Sequence, residues 1–276
     1  MTRKVYWLSL MTLLGVMLSL HAQAAVNTSG VNVKWSYIGM TGPSHWGMLD
    51  PAFEVCDTGQ AQSPINIGRT RVPSAYALTM NYHAAPMIIG DDMDTKINIG
   101  KSQTIITSDH GLQLNFHGKS KETVTFAGKE YELVQFHFHS PSETLWHKQS
   151  FPLEIHFVHQ SKDGGAAVVA VFVKGGAANA ALQDILKHIP EQSHQEYEIK
   201  DATINPGDLL PVNQRYFSYI GSLTTPPCTE GLQWIVLPEP ITAAPEQISQ
   251  IRQAAGGTNA RPVQDMNARV LYYAMK

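Results

Sequence analysis

The stretch Tyr131-Glu132-Leu133-Val134-Gln135-Phe136-His137-Phe138-His139 carries aromatic and branched residues at a period of two. That period marks a β-strand, in which successive side chains point to opposite faces. Read so, His137 and His139 share one face while Phe136 and Phe138 pack behind them; on a helix the two histidines would diverge. A second run, Leu153-Glu154-Ile155-His156-Phe157-Val158-His159, has the same character. It offers His156 and His159 on opposite faces, so only one of them can join the first pair. Three imidazoles converging from two neighbouring strands suit a tetrahedral metal with one position left open, the arrangement of catalytic zinc. Cys56 and Cys228 lie elsewhere, which argues against a thiolate site. Gln135 shares the face of His137, and Glu154 that of His156. Both are expected to hold the second ring nitrogen of a liganding histidine and fix its tautomer.

Further strand-like runs occupy 104–106, 112–116, 123–126, 167–173 and 232–237, with modest helical signals at 177–189 and, after a proline, 244–255. Glycine and proline are scattered throughout, as suits short strands joined by turns. The expectation is a mostly β chain with a few peripheral helices. No linker divides it, so residues 25–276 read as one domain. With 276 residues, 43% hydrophobic and 16% charged, the chain can bury a substantial core. Its net charge of -3 and the lack of a basic cluster exclude a nucleic-acid binder.

Residues 1–24 read as a signal peptide. Arg3 and Lys4 precede an apolar run over 5–20, and Ala22-Gln23-Ala24 supplies a small-x-small cleavage pattern. The run falls short of the about 20 apolar residues a spanning helix needs, and Ser9, Thr12 and Gly15 interrupt it. Cleavage after Ala24 would leave no membrane anchor and place the protein in the periplasm or outside the cell. It would also lower the net charge by two, to -5. In that oxidising compartment Cys56 and Cys228 are expected to form a disulfide.

Several segments, in order along nearly the whole mature chain, carry a more specific message. Gln135-Phe136-His137-Phe138-His139-Ser140-Pro141-Ser142-Glu143 resembles the zinc-site segment of the α-class carbonic anhydrases, in the form typical of exported bacterial members. Gly42-Pro43-Ser44-His45-Trp46 and Gln62-Ser63-Pro64-Ile65-Asn66-Ile67 resemble the amino-terminal signatures of that family. The run 153–159 resembles its third-ligand strand. Ser222-Leu223-Thr224-Thr225-Pro226-Pro227-Cys228-Thr229-Glu230-Gly231 resembles its substrate-side loop, and Asn259-Ala260-Arg261-Pro262-Val263-Gln264 its closing segment.

The resemblance implies a single domain on a large, twisted, mainly antiparallel sheet with short peripheral helices. It implies reversible hydration of carbon dioxide to bicarbonate and a proton, with Zn2+ on His137, His139 and His156 and a zinc-bound hydroxide as nucleophile. Such a metal lowers the pKa of bound water to about 7, an effect for which carbonic anhydrase is itself the standard example. By position, Thr224 would accept a hydrogen bond from the hydroxide and pass its own proton to Glu143. Val158, Val168, Leu223 and Trp234 would form the apolar wall beside carbon dioxide. Thr225, Gln135, Gln113 and Tyr37 would form the polar wall, and the main-chain carbonyl of Asn259 would partner His139.

His110 lines up with the proton shuttle, an imidazole suited to moving a proton near neutral pH, with His117 and His83 as alternatives. His159 is expected to be structural. Thr144 stands where the family usually has histidine, which bears on the buried network near Glu154. Cys56 and Cys228 match the disulfide of exported members, bracing the Thr224 loop. The implied partner is a small molecule, and the implied assembly a monomer or homodimer. A non-catalytic binding module on the same fold and a zinc-hydroxide esterase are the rival readings.

Overall fold

The computed structural model describes residues 33–68, 71–91, 95–99, 103–107, 111–117, 121–191 and 194–274. The signal-peptide reading over 1–24 and His110 lie outside them. Twelve strands form one sheet: β1 (Val72–Pro73), β2 (Leu78–Asn81), β3 (Ala85–Asp91), β4 (Leu112–Asn115), β5 (Thr123–Phe126), β6 (Lys129–His139), β7 (Leu153–Gln160), β8 (Ala166–Gly175), β9 (Glu196–Ile204), β10 (Tyr216–Ser222), β11 (Glu230–Ala243) and β12 (Tyr272–Ala274). Their order is β9-β3-β4-β6-β7-β8-β11-β10-β12-β1, with β5 also on β6 and β2 on β5. Every pair is antiparallel except β8 with β11 and β12 with β1. Two small pairs stand apart, Asn66–Ile67 with Leu145–Trp146 and Thr95–Ile99 with Gln103–Thr107. The sheet is therefore large and mixed but mainly antiparallel. The helices are short: α1 (Trp46–Leu49), α2 (Val55–Thr58), α3 (Ala180–Leu186) and α4 (Pro245–Ala254).

The central strands are buried on both faces, which is why β7 and β8 read as near-continuous apolar runs. On one face Phe136, Phe138, Ile155, Phe157, Val169, Val171, Ile235 and Leu237 join a core completed by Leu182 and Ile185 of α3 and Ile251 of α4. On the other, Val158, Val168, Ala170, Phe172, Phe217, Tyr219, Trp234 and Val236 pack together. Fully burying each phenylalanine contributes about 1.5–3 kcal/mol. Their alternation with His137, Gln135 and His156 leaves one narrow polar island inside an apolar sheet.

Two details depart from simple alternation. Val158 pairs with Gln135 but His159 with Leu133, so Val134 is an extra residue on β6. Such a bulge shifts the facing of everything on one side of it; Leu133 accordingly joins the core of Phe136, and strict alternation holds from Gln135 onward. Strand β11 also runs well beyond the expected 232–237. Its partner register jumps from Val171↔Leu237 to Val173↔Ile241, so Pro238 and Pro240 sit in an irregularity rather than ending the strand. A proline can occupy such a place because no ladder hydrogen bond is required of it there.

The Cys56–Cys228 disulfide is formed, its ends 172 positions apart in the sequence. Closing so long a loop contributes on the order of 5 kcal/mol on a chain-entropy estimate. The bond is packed with Trp46 and Phe53, beside Trp35 and Tyr37.

Candidate metal centre

Strand register assembles the site. Gln113 pairs with His137, and His137 with His156. One step along, His139 pairs with Glu154. One step the other way, Gln135 pairs with Val158, Val158 with Val168, and Val168 with Trp234. Directly paired residues share a face, so three rungs of the ladder place three imidazoles, two polar partners and an apolar row on one surface. His156, rather than His159, joins the first pair.

The three rings are buried, and their centroids lie 5.0, 5.4 and 4.5 Å apart. Their potential ligand atoms all fall within 4.8 Å of one another. His139 Nδ1 donates to the carbonyl oxygen of Asn259 at 2.8 Å, and His137 Nδ1 lies 2.8 Å from Gln135 Oε1. With those nitrogens protonated, a neutral ring leaves a lone pair on each Nε2, and these two atoms face each other at 3.1 Å. Two converging lone pairs repel unless a cation lies between them. His156 presents the opposite edge. Its Nε2 is 3.2 Å from Glu154 Oε1, outside good hydrogen-bond geometry, and its Nδ1 is 3.9 Å from Glu143 Oε2. The donor set, three buried imidazoles, fits a borderline-soft divalent ion such as zinc.

Behind the rings sits Glu143, fully buried, 3.6 Å from His139 Nδ1 and 3.9 Å from His156 Nδ1. Its Oε1 accepts the main-chain N–H of Arg261 at 2.8 Å. Burial pushes its carboxyl up to about 7, against the pull of His156, the Arg261 N–H and the Thr224 hydroxyl, while Glu154 pushes with burial. A divalent cation among the imidazoles would favour the carboxylate again.

Arg261 was not singled out from the sequence, although it stands in the Asn259-Ala260-Arg261-Pro262 segment. Its guanidinium is buried and donates to Gln62 Oε1 and Ser63 O at 2.8 Å and to Cys56 O at 3.0 Å. Gln62 in turn holds Cys228 O at 2.9 Å. One residue, through its main-chain N–H on one side and its guanidinium on the other, thus ties Glu143 to the disulfide. Asn259 is a second clamp: its Oδ1 accepts Ser140 N–H at 2.8 Å and its Nδ2 donates to Phe138 O at 2.9 Å.

Leu223, Thr224 and Thr225 are buried on the loop after β10. Trp234 Nε1 donates to Ser222 O at 2.9 Å and Cys228 N to Thr225 O at 2.8 Å. The loop is held at both ends, by the indole and by the disulfide. Gly221 permits this: a Cβ there would meet Ser63 Oγ and the Trp234 ring. Val158, Val168, Leu223 and Trp234 are all buried in the apolar cluster beside the rings, with Trp234 edge-on to His156 at 5.0 Å. On the polar side, Gln113 donates to Asn115 Oδ1 at 2.7 Å. Tyr37 lies in the aromatic group with Trp35 and Trp46.

Other histidines stand elsewhere. His159 is buried on the far side, stacked on Tyr82, whose hydroxyl is 2.7 Å from Nε2. Burial holds its pKa down to about 3, partly opposed by the backbone of Ala167 and Phe157. His117 pairs with Glu196 on the surface, and His83 is exposed. Thr144 meets Glu154 through its backbone: Thr144 N–H donates to Oε2 at 2.8 Å while its hydroxyl makes no hydrogen bond.

Residues 41–275 match the family model of the eukaryotic-type carbonic anhydrases. The chain belongs to that family. It is thereby an enzyme, and a lyase. Relatives agree along its length. The carbonic anhydrase of Pectobacterium carotovorum is 36% identical over 94% of this chain and 98% of its own. A hyperthermostable carbonic anhydrase from an active hydrothermal vent chimney superposes with a TM-score of 0.77 at 36% identity, covering 87% of this chain and all of that one. The α-carbonic anhydrase of Thermovibrio ammonificans, solved with the inhibitor sulfanilamide, gives 0.71 at 36% identity, over 88% and 100%.

Proposed function

We propose that the chain catalyses reversible hydration of carbon dioxide to bicarbonate and a proton, at a zinc ion held by His137 and His139 through Nε2 and by His156 through Nδ1. The observation that carries this is the pair of Nε2 atoms facing each other at 3.1 Å, each ring oriented by an acceptor on its other nitrogen. Bound there, zinc supplies a Lewis acid that makes hydroxide available from water near neutral pH, an effect for which this family is the standard example.

The remaining work falls to the chain. Gln135, the Asn259 carbonyl and Glu154 hold the rings in place. Glu143, ionised and anchored by the Arg261 N–H, takes the hydroxyl proton of Thr224 in a hydrogen bond. The Thr224 lone pair then accepts from the nucleophilic oxygen and aims it at the substrate carbon, a positioning effect. Val158, Val168, Leu223 and Trp234 give the apolar gas an unhydrated slot, while Thr225, Gln135, Gln113 and Tyr37 face the water side. His110 is the proposed proton carrier.

Export completes the reading, with cleavage after Ala24 releasing residues 25–276 as one domain into the periplasm or medium. Among the described residues no helix is long and apolar enough to cross a membrane. Stopped-flow hydration, with zinc quantified in the same sample and His137→Ala beside it, tests the function. Fast hydration with one zinc per chain, lost in the variant, is expected; stoichiometric zinc without hydration would sink the reading. A mature amino terminus other than Ala25, by mass spectrometry, would overturn the cleavage site.

A further inference from the structure

Away from the metal centre, the far ends of β10 and β11 enclose a pocket of about 550 Å³ whose floor is aromatic and whose rim is cationic. Trp146, Phe151, Phe217 and Tyr273 line it with Arg71 and Arg215, and none of these belongs to the candidate metal site. Trp234 lies beside His156, whereas Pro238 to Pro240 line the pocket. Four residues of strand separate the two places by about 13 Å.

The two guanidinium groups differ in how they are held. Arg71 lies over the rings of Phe217, at 5.4 Å, and Tyr273, at 4.7 Å, and those rings are stacked on each other. It forms no ion pair among the described residues. Stacking fixes the plane of a guanidinium and leaves its N–H donors along the edge, ready for a planar acceptor. Arg215 approaches Glu239 at 3.6 Å, longer than a hydrogen bond, and its Nε is buried with no acceptor. Its side chain is nonetheless 43% exposed, so its terminal N–H groups are open to a carboxylate in the two-point manner arginine favours. Among the described residues, two cationic side chains against the single carboxylate of Glu239 leave one positive charge in the pocket, which a monoanion balances. The aromatic floor calls for a flat apolar body on that anion.

We propose that this pocket binds a planar aromatic carboxylate, at a site separate from the metal centre. The probe is benzoate, titrated by calorimetry into the zinc-loaded mature protein with the metal centre saturated by sulfanilamide. Benzoate is expected to bind with sulfanilamide present, and acetate, which lacks the ring, at least tenfold more weakly. Arg71→Gln and Arg215→Gln should each weaken benzoate tenfold or more. Arg71→Lys, which keeps the charge but loses the planar fork, should weaken it too. All three variants should keep the wild-type melting temperature to within a few degrees and the wild-type hydration rate. The proposal fails if benzoate does not bind, if sulfanilamide displaces it, or if both glutamine variants bind it as the wild type does. It fails equally if sedimentation shows a dimer whose dissociation by Arg71→Gln accounts for the loss, since a second copy would then fill the pocket.

Discussion

His156 and His159 stand three residues apart on the same strand, both buried, and they do opposite things. His156 turns one nitrogen to Glu154 and the other into a cluster of imidazoles; His159 is stacked on Tyr82 with the phenol hydroxyl at Nε2. Burial alone does not make a site. The difference lies in what each face offers: the first opens on carboxylates, a carbonyl and a polar loop, the second on the hydrocarbon of Phe157 and its neighbours. Replacing each by alanine separates the two roles. His156→Ala should lose zinc and bring stopped-flow hydration down to the uncatalysed level. His159→Ala should leave zinc content and hydration intact and lower stability by about 2–5 kcal/mol in urea, as a large-to-small core change does. Hydration surviving in the first variant would break the contrast.

The next largest effect tests whether the polar face orients as well as binds. Thr224→Val keeps the shape of the buried side chain and removes its hydroxyl. Zinc content should be unchanged while hydration falls about 100-fold, the cost of losing alignment at the reacting centre. Loss of zinc in that variant would mean Thr224 supports the fold of the centre rather than the geometry of attack. The ring holders come after it: Gln135→Ala and Glu154→Gln should each weaken zinc binding by about 10–100-fold in a chelator competition.

How much of this could be read from the sequence divides along the same line. Alternation over 135–139 put His137 and His139 together, because strand geometry is local. The choice between His156 and His159 was not local; it depended on the register that sets His137 against His156. The long β11 was also hidden, since Pro238 and Pro240 look like strand breakers until a bulge is found to hold them. Thr224, Glu143 and Asn259 carry no periodicity and were legible only by family resemblance. Arg261 was missed, because nothing in a loop sequence says that a guanidinium will be buried against three acceptors at once.

A pH titration sharpens the comparison from the other face. His159 is neutral in the folded chain, its pKa held down to about 3 by burial, whereas in the unfolded chain it takes a proton near 6.5. Below pH 6.5 the unfolded state therefore binds the extra proton. The stability due to the neutral ring is fully present above that pH and is lost as the pH falls from about 6.5 toward 3, by about 1.4 kcal/mol per pH unit. Urea midpoints measured across that window should show this slope in the wild type and a shallower one in His159→Leu. Equal slopes would mean that His159 gains its proton in the folded state as easily as in the unfolded one.

The smallest expected effect concerns Thr144, the residue after Glu143. Its backbone N–H holds Glu154 Oε2, so the network that orients His156 does not depend on the side chain. The hydroxyl is buried without a hydrogen bond, next to a carboxylate whose Oε1 also lacks one of good geometry. A hydroxyl stripped of water and left unpaired is a cost that an isosteric methyl removes. Thr144→Val should thus leave zinc affinity and hydration unchanged and raise stability by about 1 kcal/mol in urea. A fall in stability of that size, or a loss of zinc, would show that the hydroxyl reaches Glu154 through a bridging water. The polar face of β7 would then extend one residue further than the direct contacts alone require.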